Sequence, residues 1–172
     1  MGIRDGVFIV PANSKGLTFK LSPAMGLRSA EVGSLKLDKV QVDKNALLGT
    51  DNPPSKSFHY STFINSGNLT WCAMAIGCCQ SALDYLIPYV NERFAFGEPI
   101  SHRQSVAFMI ADIKIEVESM RLLLWKAASR FERGEEFNRD AFLAHLLCID
   151  KSMEIGNNPV QLLGGHGFTI EH

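Results

Sequence analysis

Long apolar runs are scarce in this sequence. The longest uncharged apolar stretch runs from Leu69 to Cys79. That is well short of the roughly 20 residues needed to cross a bilayer, so no membrane span is expected. An excess of one charge is missing too: 17 Lys and Arg stand against 18 Asp and Glu, a net charge of −1. Electrostatics therefore points to no nucleic acid and no anionic membrane. The N-terminus, Met1-Gly2-Ile3-Arg4-Asp5-Gly6, has no signal-peptide layout and lacks the hydroxyl residue that myristoylation expects. Cysteines number four, at positions 72, 78, 79 and 148, and none forms a Cys-x-x-Cys pair. Cys78 and Cys79 are adjacent in a helical segment, which suits neither a shared zinc nor a mutual disulfide. All four are expected to be small, reduced, buried residues of an intracellular protein, with cytoplasm and mitochondrial matrix both open. His59, His102, His145, His166 and His172 show no metal-ligand spacing, so no metal is expected. No serine or cysteine has a base at triad spacing.

What is present is an ordinary globular composition, 46% apolar and 20% charged. A chain of 172 residues holds one domain, or one plus part of another, and can bury a core without staples. Composition changes near residue 55. Before it, strand signals dominate. Val7-Phe8-Ile9-Val10 is a short apolar run closed by Pro11, and Leu17-Thr18-Phe19-Lys20-Leu21 alternates with period two. Leu35 and Leu37, then Val40 and Val42, alternate with polar residues, and the phase slips at Asp38-Lys39 as a bulge would cause. These strands are too few for a stable independent sheet. Asp51-Asn52-Pro53-Pro54-Ser55 is the expected boundary. It divides a β-domain remnant, 1–54, from a helical bundle, 55–172, incomplete at its C-terminus.

After the boundary the periodicity is helical. Leu69, Ala73, Ile76, Gln80, Leu83, Ile87 and Val90 form one face of a long first helix, which Pro88 is expected to bend. A second helix carries Val106, Met109, Ile110, Ile113, Val117, Met120, Leu124, Ala127 and Phe131 on one stripe and ends at Gly134. A third starts near Asn138 or Asp140, both good caps. It runs through Phe142, Leu146, Ile149 and Met153 toward Leu163, with Pro159 expected to break or kink it. Short turns make neighbours antiparallel. The fold class is mainly α: three long helices of an antiparallel four-helix bundle after a short β segment. Asp112, Glu116 and Glu118 are expected to be solvated or bundle-edge charges, and Trp71 and Trp125 to lie in the core or an interface.

Two constellations carry chemistry. Arg93-Phe94-Ala95-Phe96-Gly97 closes the first helix. A cation there is favoured by the helix dipole alone. It would also suit a guanidinium holding a pyrophosphate, with Phe96 stacking nearby. Val160-Gln161-Leu162-Leu163-Gly164-Gly165-His166-Gly167-Phe168 runs a helix into Gly-Gly-x-Gly. One glycine suffices to stop a helix; three after an amide side chain also suit the close approach of a flat or phosphorylated ligand.

Together these segments resemble the acyl-CoA dehydrogenase family of flavoproteins, almost end to end. Met25-Gly26-Leu27-Arg28-Ser29, Leu35 to Val42 and Leu48-Gly49 resemble the last strands of its middle β-domain. Gly77, Ala82-Leu83, Arg93 to Ile100 and Gln104 resemble its ERxxFGxPIxxxQ helix and turn. Ile110-Ala111-Asp112, Ala127-Ala128 and Gly134 fit the next helix, and Val160 to Phe168 fit its QxxGGxGF segment. The resemblance implies FAD, an acyl-CoA substrate, α,β-dehydrogenation and a homo-oligomer built through the helical domain. It implies that Arg93 and Phe96 meet the pyrophosphate and adenine side of FAD, that Gln104 supports them, and that Gln161, Gly164 and Gly165 close over the same end. No catalytic residue is implied. Glu171 matches a structural position, and Gly67 and Asn68 stand where some members carry a base and an arginine. The expected identity is a C-terminal portion of such an enzyme, inactive alone; the alternative is a non-enzymatic helical interaction module.

Overall fold

The computed structural model describes residues 7–48 and 59–169. The chain divides into two compact units, Met1–Tyr60 and Ser61–His172. The segment 51–55, where the boundary was expected, lies outside the described residues, as do Gly49 and Glu171.

In the first unit, β1 (Leu17–Leu21) pairs antiparallel with β2 (Gly33–Leu37), with Phe19 opposite Leu35 and Leu17 opposite Leu37. Alternation puts Leu17, Phe19, Leu21, Leu35 and Leu37 on one face and Thr18, Lys20, Ser34 and Lys36 on the other. Phe19, Leu21, Leu35 and Leu37 of the apolar face are exposed, as expected of a two-stranded ribbon without a partner sheet. Val7–Val10 forms no strand beyond a single bridge from Phe8 to Leu47. The expected bulge is instead the end of β2. Lys39 takes a left-handed φ of 52°, which stops the ladder, and Val40 and Val42 follow outside any strand.

The second unit contains α1 (Tyr60–Glu92), a short hairpin of β3 (Phe94–Ala95) and β4 (Glu98–Pro99), α2 (Gln104–Glu132) and α3 (Asn138–Leu163). A 3-10 turn, Gly164–Phe168, follows α3. Side-chain pairs fix an up-down-up arrangement. Asn65 donates to Asn138 at 2.6 Å near the starts of α1 and α3, and Tyr89 donates to the Leu163 carbonyl at 3.2 Å near their ends. The end of α2 meets the start of α3 through Arg130 and Asp140.

The inward line of α1 is Leu69, Cys72, Ile76, Cys79, Leu83, Leu86 and Val90, spaced alternately by three and four as in a heptad seam. Ala73 and Ile87 from the expected face are exposed. Small thiols at 72 and 79 let α1 sit where larger side chains would not fit. Ile113, Val117, Met120 and Ala127 of α2 follow the expected stripe. On α3 the inward line is Ala141, Ala144, Cys148, Ile155, Leu162 and Leu163. Phe142, Leu146, Ile149 and Met153 all face outward. Trp71 and Trp125 are exposed as well, and so is Cys78, whereas Cys72, Cys79 and Cys148 are buried and all four thiols are free. The Cys148 thiol is pushed far up by its hydrogen bond with Cys72 and by burial, so it is not a reactive thiolate. Both α1 and α3 continue through their prolines, Pro88 and Pro159. Neither Asn138 nor Asp140 caps α3: the capping position is Phe137, and the Glu136 carboxylate accepts from the Asn138 N–H at 2.8 Å. Asp112 is exposed, and Glu116 and Glu118 pair with Lys151 and Lys114 at the bundle edge.

Among the described residues, Asp140 is the one buried charged group. Lys126 lies 2.9 Å from its Oδ1 and Arg130 3.0 Å from its Oδ2. Hydrogen bonding by Lys126 first, and the two cationic charges, hold its carboxyl below the usual range against the opposing effect of burial. A depressed carboxylate contributes stability above its unfolded-state pKa of about 3.9, and that contribution fades as pH falls through the lower folded value. Asp140→Asn is therefore expected to lower the urea midpoint near neutral pH and to shrink the drop between about pH 5 and pH 2. An unchanged acid slope would assign that drop to other carboxylates.

Candidate functional site

The end of α1, the start of the segment after β4, and the end of α3 enclose one cleft. Its volume is about 440 Å³, and Tyr89, Arg93, Ile100, Leu163, Gly164, Gly165, His166 and Thr169 are among its lining. Local chemistry places each wall. The Arg93 N–H donates to the Tyr89 carbonyl at 2.8 Å, continuing the last turn of α1, and its carbonyl accepts from Ile100 at 2.9 Å. These bonds fix the Arg93 backbone at the C-terminal end of α1, where the dipole favours a cation. The Tyr89 hydroxyl ties α1 to the last carbonyl of α3, and its ring meets the His166 ring edge-on at 6.3 Å.

The three glycines of the tail do different things. Gly164 has φ 59° and ψ −129°, a combination that suits glycine rather than residues with a Cβ, and it turns the chain out of α3. Gly167 is packed so closely that a Cβ would lie 2.5 Å from the Val160 carbonyl oxygen. Gly165 has neither constraint: its φ is not left-handed and a Cβ would meet nothing within 4 Å. It lines the cleft without a conformational reason to be glycine.

Between β3 and β4, Phe96 and Gly97 both take left-handed conformations, φ 58° and 91°, as in a type I′ turn. Asparagine or glycine is preferred at such a first position, and a bulky side chain there costs roughly 1–2 kcal/mol. The Phe96 ring is 93% exposed, so burial does not offset that cost. The Arg103 guanidinium sits 4.9 Å from its centroid and donates to the Ala95 carbonyl at 3.4 Å.

Of the residues singled out in the sequence, Arg93, Gly164 and Gly165 line one cleft. Phe96, Gln104 and Gln161 are exposed and not part of its lining. Gln104 is the first residue of α2, and the backbone carbonyl of Gln161 accepts from Gly164. Sequence reasoning missed Tyr89, Ile100 and Arg103. Arg103 was visible as an arginine directly before a helix, a poor choice at that position. The groove beside Gly67 and Asn68, about 350 Å³, is lined by Phe63, Ile64, Ser66, Thr70 and Trp71 and contains no carboxylate. A groove between α2 and α3 holds Asp112, Glu116 and Glu154, and Lys151 bridges the two glutamates at 3.1 Å and 3.0 Å, so both are engaged in an ion-pair network. Among the described residues no cluster of His, Cys, Asp and Glu could hold a metal, and no helix is long and apolar enough to cross a membrane.

The short-chain specific acyl-CoA dehydrogenase, mitochondrial, of Bos taurus is 31% identical over 95% of this chain. The probable acyl-CoA dehydrogenase YngJ of Bacillus subtilis is 33% identical over 95%. The chain spans about 40% of the length of such relatives. Among solved structures, butyryl-CoA dehydrogenase from Megasphaera elsdenii superposes with a TM-score of 0.83 at 30% identity, covering 97% of this chain and 43% of that one. A chain in the electron transferring flavoprotein structure of Acidaminococcus fermentans gives 0.84 at 28% identity, covering 97% and 44%. Residues 60–172 match the acyl-CoA dehydrogenase C-terminal domain, and the chain belongs to the acyl-CoA dehydrogenase family of FAD flavoproteins.

Proposed function

We propose that this chain is the C-terminal portion of an acyl-CoA dehydrogenase and contributes one end of its dinucleotide site. The observation carrying this reading is that Arg93, Gly164 and Gly165 line a single cleft, which brings a cationic residue and two glycines to one place. Those residues fit the pyrophosphate of FAD: a guanidinium gives charge-assisted, bidentate contacts, and an unhindered glycine admits close approach. Phe96 offers an exposed ring for the adenine, with Gln104 and Gln161 as flanking polar contacts. When bound, FAD supplies a two-electron acceptor for α,β-dehydrogenation of an acyl-CoA thioester. The chain's own role is to bind and orient. It provides no proton acceptor at Gly67 or Asn68, so the isolated chain is expected to be inactive on acyl-CoA.

In this reading residues 1–54 are a β-domain remnant and residues 55–172 an incomplete helical domain. The outward side chains of α3, Phe142, Leu146, Ile149 and Met153, favour a homo-oligomer through the bundle, since such a line covers surface only against a partner. They also support the second reading, a non-enzymatic interaction module. Four free thiols suit an intracellular setting, cytoplasm or mitochondrial matrix.

Flavin separates the two readings. Titrating FAD into the full chain and following its fluorescence is expected to show binding, weakened about tenfold or more by Arg93→Glu. Gly165→Val is expected to weaken binding without moving the thermal midpoint, because among the described residues nothing lies within 4 Å of a Cβ at that position. A chain that binds no FAD, or one indifferent to both substitutions, would favour the module.

A further inference from the structure

Three local choices around the β3–β4 turn are each poor by themselves. Phe96 occupies a left-handed position. Its ring is almost fully exposed. Arg103 stands at the N-cap of α2, where its charge opposes the helix dipole and its side chain makes no capping bond. Local misfits that converge on one point mark a place kept for another reason. Here they converge physically: the half-buried Arg103 side chain turns back from α2, donates to the Ala95 carbonyl at 3.4 Å and lies 4.9 Å from the Phe96 ring centroid, a contact that leaves the ring almost wholly exposed. Among the described residues no carboxylate forms an ion pair with it.

We propose that Arg103 is a positioning residue that holds the Phe96 turn against α2, so that the free face of the ring is presented to the adenine of a bound dinucleotide; the ligand named here rests on the flavin reading, whereas the holding of the turn does not. The guanidinium is suited to this because it is planar. Its charge can meet the ring while an N–H remains free for the carbonyl, which a lysine ammonium cannot reproduce in one geometry.

The test uses the full chain carrying Arg103→Ala, Arg103→Lys, Phe96→Ala, or Arg103→Ala with Phe96→Ala. In the free protein, Arg103→Ala is expected to move the Phe96 ring-proton signals toward unstructured values. It should also speed exchange of the Ile100 amide, which closes the hairpin on the Arg93 carbonyl, while the unfolding midpoint stays near wild type. Arg103→Lys should restore part of both signals. FAD affinity should fall about 2- to 5-fold in Arg103→Ala and no further when Phe96→Ala is already present. Unchanged ring signals and Ile100 exchange would overturn the proposal. So would a loosened turn with wild-type FAD affinity. If the wild-type chain binds no FAD yet Arg103→Ala loosens the turn, the flavin reading fails and the holding role of Arg103 stands.

Discussion

Leu86→Ala is expected to lower the unfolding free energy of the helical unit by about 2–5 kcal/mol. Leu86 is 0% exposed and belongs to the core that includes Cys72, Ile113, Val117 and Met120. Removing its branched end forfeits transfer free energy and leaves a cavity that neighbouring helices only partly close. Urea unfolding followed by helical circular dichroism measures the loss. Leu146→Ala is the matched comparison. Leu146 is 55% exposed on α3, so in the monomer its truncation should cost within about 0.5 kcal/mol. In an associated form built on α3, Leu146→Ala should instead weaken association. Equal destabilisation of the dilute monomer by both variants would reject the inward face assigned to α3.

That pair also shows where the sequence was legible. Helix number, lengths and order follow from period and from Gly134, which ends α2, and α2 carries one apolar stripe that is read directly. On α1 two lines compete. Ala73, Gln80 and Ile87 lie one position from Cys72, Cys79 and Leu86, and a hydrophobicity count treats cysteine as a weak signal although it packs as a small apolar residue. On α3 the larger residues face outward and the smaller ones, Ala141, Ala144 and Cys148, face inward. A rule that puts big side chains inside therefore selects the wrong face on this helix. At the site, the charged and glycine-rich segments were readable because each is locally unusual. Tyr89 and Ile100 were not, because a tyrosine in a helix and an isoleucine after a turn look ordinary until the fold brings them to the cleft.

Gly167→Val should act on the fold where Gly165→Val acts on the ligand. A Cβ at position 167 would lie 2.5 Å from the Val160 carbonyl oxygen and 3.1 Å from its carbonyl carbon. These are backbone atoms of α3 and cannot swing aside as a flexible side chain would. Either α3 unwinds near its end or the 3-10 turn Gly164–Phe168 lifts away. Overpacking of this kind costs about 1–3 kcal/mol. Lifting the turn also moves Gly164, Gly165 and His166, one wall of the cleft, so FAD affinity and thermal midpoint should fall together. At Gly165 the same substitution meets open space, and only affinity should fall. A Gly167→Val protein that melts like wild type would show that the turn is not seated on α3. The remaining glycines of the tail would then have no wall to hold in place, and Arg93 would lose the surface it faces.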